Sequence, residues 1–429
     1  MQLKNKKHQW SRSLVLSNSR LNRRVGLSFL YFIQGIPQGL IYFSLLDWLA
    51  SKGFSISDIA IVTSIASLPW TLKFVIGPFV DSYQISKMGK RKPWILASLI
   101  ILGLIFLLLS QFISIHISPL LIGLSLSLII LSTSILDVAT DGLAIDILDK
   151  DERGISNGFM WGARTFGVSI SALLSSILIR NYGLSQTFVF FGIILLASSV
   201  FIIFQKENFK DKILSFSQPT KKEKTINLKK TLYDLYQTSV TPLIFMLILF
   251  CLVSNISFGM HYVSISNLYT NIAGWDHETL TKIRSLGLYI GIFSAVGGGY
   301  LSDKYSPYRI IILSQLIIAL IMISVFILNS QISNLYIGSS ILILLSVMGS
   351  FVMSASLSLC MGLSIKAIAA TQFAFLMSIR HFSRIIGEWL AGILDYLNIS
   401  TNEIYLVMFL LSFLPILAIQ RMMVLNKIR

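Results

Sequence analysis

Apolar stretches of roughly 20 residues, each long enough to cross about 30 Å of hydrocarbon as a helix, recur along the whole chain. Twelve stand out, near 25–48, 58–80, 94–113, 118–147, 154–179, 186–204, 241–270, 281–301, 309–328, 334–364, 371–394 and 403–420. Short polar connections separate them, and one long polar interior segment, 205–240, follows the sixth. The pattern predicts an all-α membrane protein with twelve transmembrane helices. One loop pattern then occurs at two matching places. Gly77-Pro78-Phe79-Val80-Asp81 with Gly89-Lys90-Arg91-Lys92 lies between the second and third stretches. Gly299-Tyr300-Leu301-Ser302-Asp303-Lys304 with Arg309 lies between the eighth and ninth, 222 positions later. In each copy the glycine lets two helices approach closely, while the aspartate and the basic groups stay at the membrane surface. Gly77, Asp81, Arg91, Gly299, Asp303 and Lys304 are therefore candidate gate residues. Duplication of a membrane unit explains the repeat, with two pseudo-symmetric halves at 25–204 and 241–420. A basic linker at 205–240 joins them, and tails at 1–24 and 421–429 flank them.

Composition agrees with a bilayer setting: 54% of residues are hydrophobic and 13% charged, with a mean hydropathy of +0.76. An ordinary soluble domain is excluded. The net charge of +16 would suit nucleic acid, but the basic residues follow the alternation of loops instead. Of 35 lysines and arginines, 27 fall in the loops of one face and only Lys52, Arg180, Lys282 and Arg284 in those of the other. Because cytoplasmic loops carry the excess, both termini and the linker are expected in the cytoplasm, and nucleic acid is not an expected partner. The basic N-terminus precedes a full-length span with no small-residue cleavage site, so it is expected to be retained. Cys251 and Cys360 both lie in apolar spans, which leaves no disulfide framework and no cysteine metal site. Gly-x-Ser-x-Gly, His-Glu-x-x-His and Gly-x-x-x-x-Gly-Lys-Ser/Thr patterns are missing, so neither an enzyme nor an ATP-driven pump is expected, and no cofactor or metal. Energy would have to come from a gradient.

Charged groups inside the spans cost at least about 2.5–3.5 kcal/mol each on insertion scales and normally face a cavity or a partner. Asp137 lies fourteen residues before the turn near 151 and Arg164 thirteen after it. An antiparallel hairpin therefore brings them to one depth as an ion pair. Asp137 and Asp141 share a helix face, where like-charge repulsion favours a proton on one of them. Either is a proton-carrier candidate; alternatively Asp141 and Asp146 neutralise Arg164, Arg91 and Lys92. In the eleventh span Arg380, Arg384 and Glu388 recur every four residues on one face. Glu388 neutralises one arginine only, and the surplus positive charge wants a substrate carboxylate or phosphate or an acid of another helix. Lys73 either snorkels inward or faces the cavity. The first helix of each half carries helix-weakening or polar residues near its middle. These are Gln34, Gly35, Pro37, Gln38 and Gly39 in one, and Asn255, Ser257 and Gly259 in the other. They mark either a substrate path or close packing of small residues.

The duplicated loop resembles the signature between the second and third helices of each half of major facilitator superfamily transporters, which implies two six-helix bundles around a central path. Further stretches resemble the AmpG and acetyl-CoA transporter family within it. These are Gln34 to Leu40, Leu68 to Phe74 with Gly77 to Asp81, Gly89 to Trp94, Asp137 to Gly142 with Glu152-Arg153-Gly154, the Arg164 segment and Ala370 to Ala374. The resemblance is stronger in the first half. It implies secondary transport, usually with protons, of sizeable and often anionic solutes: muropeptides, acetyl-CoA or siderophores. Gly142 and Leu143 depart from the AmpG pattern. The combined expectation is a monomeric, proton-coupled importer in a bacterial inner membrane, working by alternating access on a muropeptide or siderophore. Gln34, Gln38, Lys73, Asn255, Arg380 and Arg384 would touch the substrate, while Asp137, Asp141, Arg164 and Glu388 would serve coupling or pairing. The alternatives are an acetyl-CoA transporter and a transporter-like membrane sensor.

Overall fold

The computed structural model describes residues 15–45, 48–49, 56–83, 87–112, 118–215, 217, 228–275 and 277–427. Most of the expected N-terminal tail and ten consecutive positions of the linker, 218–227, lie outside them. Every regular element among the described residues is helical, apart from one isolated bridge between Val15 and Lys206. We number the α-helices α1 (Arg20–Gly39), α2 (Ile56–Thr71), α3 (Lys73–Ser82), α4 (Lys92–Phe112), α5 (Pro119–Ile147), α6 (Arg153–Phe204), α7 (Leu228–Ser239), α8 (Pro242–Val253), α9 (Ile256–Ser266), α10 (His277–Tyr305), α11 (Pro307–Ile327), α12 (Leu335–Leu363), α13 (Ala369–Tyr396), α14 (Thr401–Leu411) and α15 (Phe413–Lys427).

Local chemistry sets many of these boundaries. Prolines open α5, α8 and α11 at positions whose N–H would have no helical partner. Ser400 and Glu403 form a reciprocal capping box at the start of α14. α6 runs for 52 residues, but Gly183 takes φ 85° and ψ 172° inside it, a conformation that glycine alone adopts without strain. Two expected spans therefore meet there rather than one helix continuing.

Nine stretches among the described residues are long and apolar enough to cross a membrane, with α6 counted as one of them. Expected spans one and eleven, α1 with its following turn and α13, are helical but carry the polar and charged residues singled out above. Leucines and phenylalanines of the apolar stretches stand bare on the outside, among them Leu108, Leu173, Phe293 and Leu320. Such side chains suit hydrocarbon rather than water.

The first helix of each half is irregular where the sequence weakens it. After Pro37, α1 passes into a π-helical turn at Leu40–Leu45. Between α8 and α9 the helix is interrupted at Ser254 and Asn255. Both helices also make close glycine crossings. A side chain at Gly35 or Gly39 would strike the α6 backbone at Arg164 or Val168, and one at Gly167 would strike Phe32. A side chain at Gly259 would strike Arg384, and one at Gly387 would strike Ile256. Small residues thus let the first helix of each half lie against the fifth, which sets the polar residues of both at contact distance.

The chain forms two compact units by contact: Met1–Asp149 with Ala163–Asp234 and Ser364–Phe375, and Lys150–Gly162 with Leu235–Leu363 and Leu376–Arg429. In the first, Phe106 and Phe188 pack at 5.3 Å within an aliphatic core. In the second, Tyr269 meets Trp275 edge to face at 4.9 Å, beside Tyr405, Met408 and Leu342.

Candidate functional site

Unit one gathers a charged cluster from five helices. Asp137 of α5 is 2% exposed and both of its oxygens are occupied. Oδ2 lies 2.8 Å from Lys73 Nζ and Oδ1 lies 3.4 Å from Arg164 Nη1. Lys73 begins α3 just after the helix breaks at Leu72, and it is 3% exposed. It points at Asp137 and does not snorkel. The Trp70 ring carries both cations, with Arg164 Cζ at 4.9 Å and Lys73 Nζ at 5.6 Å from its centroid, a favourable arrangement for the ring quadrupole.

One helical turn from Asp137, Asp141 accepts a hydrogen bond from the Tyr31 hydroxyl. Asp137 thus takes both nearby cations, while Asp141 is held by a neutral phenol. Tyr31, Gln34 and Gln38 share one face of α1. Gln38 Oε1 accepts from Arg164 Nε at 3.4 Å, whereas Gln34 between them is fully buried with neither amide atom hydrogen-bonded.

Unit two holds a cluster of a different kind. Arg380 of α13 is 3% exposed. Its Nη2 donates to Asn255 Oδ1 at 3.4 Å and to Met353 Sδ at 3.6 Å, its guanidinium lies 5.9 Å from the Phe250 ring, and its Nη1 has no partner. Asn255 Nδ2 in turn donates to the Arg380 carbonyl at 3.2 Å, so the helix interruption at Asn255 places the amide against the arginine. Among the described residues no carboxylate pairs with Arg380. Glu388 is 3.4 Å from Arg384 Nε instead, and Arg384 also lies over Tyr262 at 5.6 Å. The free thiols of Cys251 and Cys360 stand 3.9 Å apart in the same unit.

The two copies of the repeated loop motif make the same kind of contact in separate places. Asp81 Oδ2 accepts the Thr371 N–H at 2.6 Å, capping the start of α13. Its Oδ1 is 2.7 Å from Arg91 Nη1, with Lys90 Nζ at 3.6 Å. Arg91 Nε reaches Asp146 at 2.8 Å, so this arginine is fully buried between two carboxylates. In the second copy Asp303 accepts the Gly154 and Ile155 N–H groups at 2.6 and 2.7 Å, capping the start of α6. Each aspartate satisfies amides that a helix start leaves unpaired and adds negative charge at its positive end. Gly77 and Gly299 make the approach possible. A Cβ on Gly77 would lie 2.6 Å from Thr371 Cα, and one on Gly299 would strike the Gly154 carbonyl. Lys304 stacks over Tyr305 at 5.2 Å. Gly142 leaves room for Arg91, whose Cζ would be 2.8 Å from a Cβ there.

The sequence pattern marks most of these groups but leaves out several of their partners, Tyr262 and Tyr305 among them. Tyr31 was findable, being on the same α1 face as Gln34 and Gln38. Trp70 lies within Leu68 to Phe74, yet nothing in that stretch says that two cations would share its ring. Met353 and Phe250 carry no signal that separates them from core residues.

A family model for the Major Facilitator Superfamily matches residues 27–388. A protein of Rickettsia prowazekii named "Putative transporter AmpG 3" is 26% identical over 431 residues, covering 91% of this chain and 94% of that one. An uncharacterized Schizosaccharomyces pombe protein is 29% identical over 157 residues, which are 35% of this chain and 28% of the yeast protein. Among solved structures, the human organic anion transporter MFSD10 (TETRAN) superposes with a TM-score of 0.64 at 15% identity, covering 94% of this chain and all of that one. That likeness speaks to the fold.

Removing Asp137 would strand two buried cations, and breaking a buried pair on one side costs about 3–5 kcal/mol. Asp137→Asn is therefore expected to lower the thermal stability of the purified protein, and Lys73→Gln added to it should restore part of the loss. A double variant no more stable than the single one would remove the basis for this pairing.

Proposed function

The chain belongs to the Major Facilitator Superfamily, and from that premise we propose that it is a proton-coupled importer of a sizeable anionic solute, a muropeptide or a siderophore, working by alternating access. Transport itself follows from the family. The anionic cargo rests on one observation above all: Arg380 is buried with an unpartnered Nη1 and no carboxylate among the described residues. An uncompensated buried guanidinium is costly, and a ligand carboxylate or phosphate would supply the missing charge with bidentate geometry. Amide, thioether and ring contacts hold Arg380 only weakly and leave it ready to turn to an anion.

Proton coupling is assigned to Asp141. Asp137 is committed to Lys73 and Arg164, whereas Asp141 meets a hydroxyl that bonds to either protonation state. A proton on Asp141 also removes its repulsion from Asp137 one turn away. The two aspartate caps supply the gate, because each ties a motif of one sequence half to a helix start of the other and must release for the path to change sides. The protein is placed in a bacterial inner membrane as a monomer, with both termini cytoplasmic.

Cargo is tested by uptake into right-side-out vesicles of a muropeptide, a ferric siderophore and acetyl-CoA, with acetyl-CoA uptake alone favouring the alternative reading. Arg380→Lys keeps the charge but loses the fork of donors. It is expected to weaken the affinity for the accepted cargo at least tenfold, and a neutral amide derivative of that cargo should compete poorly. Wild-type affinity in the variant together with equal competition would make Arg380 a structural counter-charge.

Asp141→Asn is expected to abolish accumulation driven by a proton gradient while leaving cargo exchange across the membrane intact. Loss of both, or of neither, would take the coupling role away from Asp141.

For topology, single cysteines at positions 215 and 425 should be silent toward an impermeant thiol reagent added outside intact cells and should react once the membrane is opened. Labelling from outside at either position would reverse the orientation.

A further inference from the structure

The start of the linker is built into the first gate motif, and neither the family assignment nor the sequence pattern foresees it. Glu207 lies three residues past the end of α6 and is 4% exposed. Its carboxylate accepts three successive backbone N–H groups at the start of α4: Lys90 at 3.0 Å on Oε2, then Arg91 at 2.7 Å and Lys92, both on Oε1. The last two are donors that the helix start leaves without partners. In return, Lys92 Nζ donates to the carbonyls of Ile203, Gln205 and Ile213 at 2.7, 2.5 and 2.7 Å, closing the end of α6. Each helix terminus is thus capped by a charged side chain from the other segment, with the sign its dipole favours.

The seat around Glu207 is held from two sides. Leu16 N–H bonds to the Lys206 carbonyl at 2.8 Å and Ser17 N–H to the Glu207 carbonyl at 3.2 Å, while Lys212 N–H bonds to the Lys87 carbonyl at 3.0 Å. Gly89, at φ 125°, leaves the space for the carboxylate, since a Cβ there would lie 2.5 Å from Glu207 Cδ. Arg91 therefore has two attachments. Its side chain grips Asp81 and Asp146, and its backbone hangs on Glu207.

We propose that Glu207 is a positioning residue of the gate: from the linker it seats Arg91, and through Arg91 it holds Asp81 on the start of α13. The proposal rests on the gate reading above and gives the linker a part in it. Thr371 N–H reports the far end of this chain of contacts, because Asp81 is its acceptor.

A pH profile follows as well. The charged groups that act on the carboxylate are Lys92 at the start of α4 and Asp211 on the linker. Burial pushes Glu207 up to about 7, against the pull of the three amide bonds, with Asp211 adding to the rise. Once released into water the carboxyl would return to about 4.3. A raised value in the seated state means that seating takes up a proton, so the latch tightens as pH falls through about 7 and loosens above it. The gain from pH 8 to pH 6 is about tenfold.

The test is amide hydrogen exchange on the purified full chain, read residue by residue and corrected for the intrinsic pH dependence. Glu207→Ala should lower protection of Lys90, Arg91 and Lys92 at least tenfold and lower that of Thr371 with it. Wild-type protein needs no variant: protection at all four amides should rise together about tenfold between pH 8 and pH 6, and Glu207→Gln should flatten the profile. Protection at Thr371 that stays level while the α4 amides change, or a wild-type profile flat at every one of them, overturns the latch. Because exchange is measured without cargo or gradient, this failure is distinct from failure of the transport reading.

Discussion

A charge taken into hydrocarbon must find a partner, and most of the polar architecture of this chain follows from that constraint. Lys73 and Arg164 both enter unit one, and a single carboxylate, Asp137, meets them both. That arrangement demands that α3, α5 and α6 converge at one depth. The convergence in turn demands the break at Leu72, which turns Lys73 toward Asp137. Gly35, Gly39 and Gly167 complete it, since without them α1 could not lie close enough to α6 for Gln38 to reach Arg164. Hydrophobic burial gathers the helices, but lipid tails are as apolar as the leucines they would replace. Close crossings and charge partners therefore have a larger share in deciding which helix faces which.

The same logic operates at the helix ends with backbone groups in place of side-chain charges. Asp81, Asp303 and Glu207 each present a carboxylate to amides that the first turn of a helix leaves unpaired. The three differ in what they join. Asp81 and Asp303 each reach from one sequence half to a helix start in the other, whereas Glu207 ties the end of α6 to the start of α4 within the first half. Glu207 thus holds two neighbouring helix ends of one half in register.

Much of this was readable in the sequence because the bilayer imposes simple rules. Helix length, apolar runs and the repeated Gly-x-x-x-Asp motif are one-dimensional signals, and the matched depth of Asp137 and Arg164 followed from their distances to a shared turn. What was hidden depends on rotation and on contacts between segments far apart in the chain. Lys73 had two outcomes on sequence grounds, and the helix break at Leu72 chose between them. Asp141 and Asp146 looked alike in the sequence, yet one meets a tyrosine and the other Arg91. Glu207 sits in a lysine-rich connector that reads as solvated, and nothing in its neighbours announces three backbone donors from position 90 onward. Asn255 and Arg380 were singled out separately. Their pairing depended on the crossing of α9 with α13 at Gly259 and Gly387.

Two buried arginines show how far the chemistry of their partners can differ. Arg91 is fully enclosed, with Asp81 at 2.7 Å, Asp146 at 2.8 Å and its backbone held by Glu207. Its charge is answered twice over by groups that cannot leave without a large penalty, so a further anion would gain little there. Arg380 is nearly as buried, but its neighbours are an amide oxygen at 3.4 Å, a thioether at 3.6 Å and a ring face. None carries a charge, and all of these contacts are long. Such a site keeps a guanidinium in place while leaving most of its electrostatic demand unmet. An entering carboxylate or phosphate would therefore be bound by the full difference between those weak contacts and a charge-assisted pair. The low-dielectric surroundings that make the lone cation expensive make that difference larger. Burial makes both charges expensive, and among the described residues carboxylates answer that of Arg91 while none answers that of Arg380.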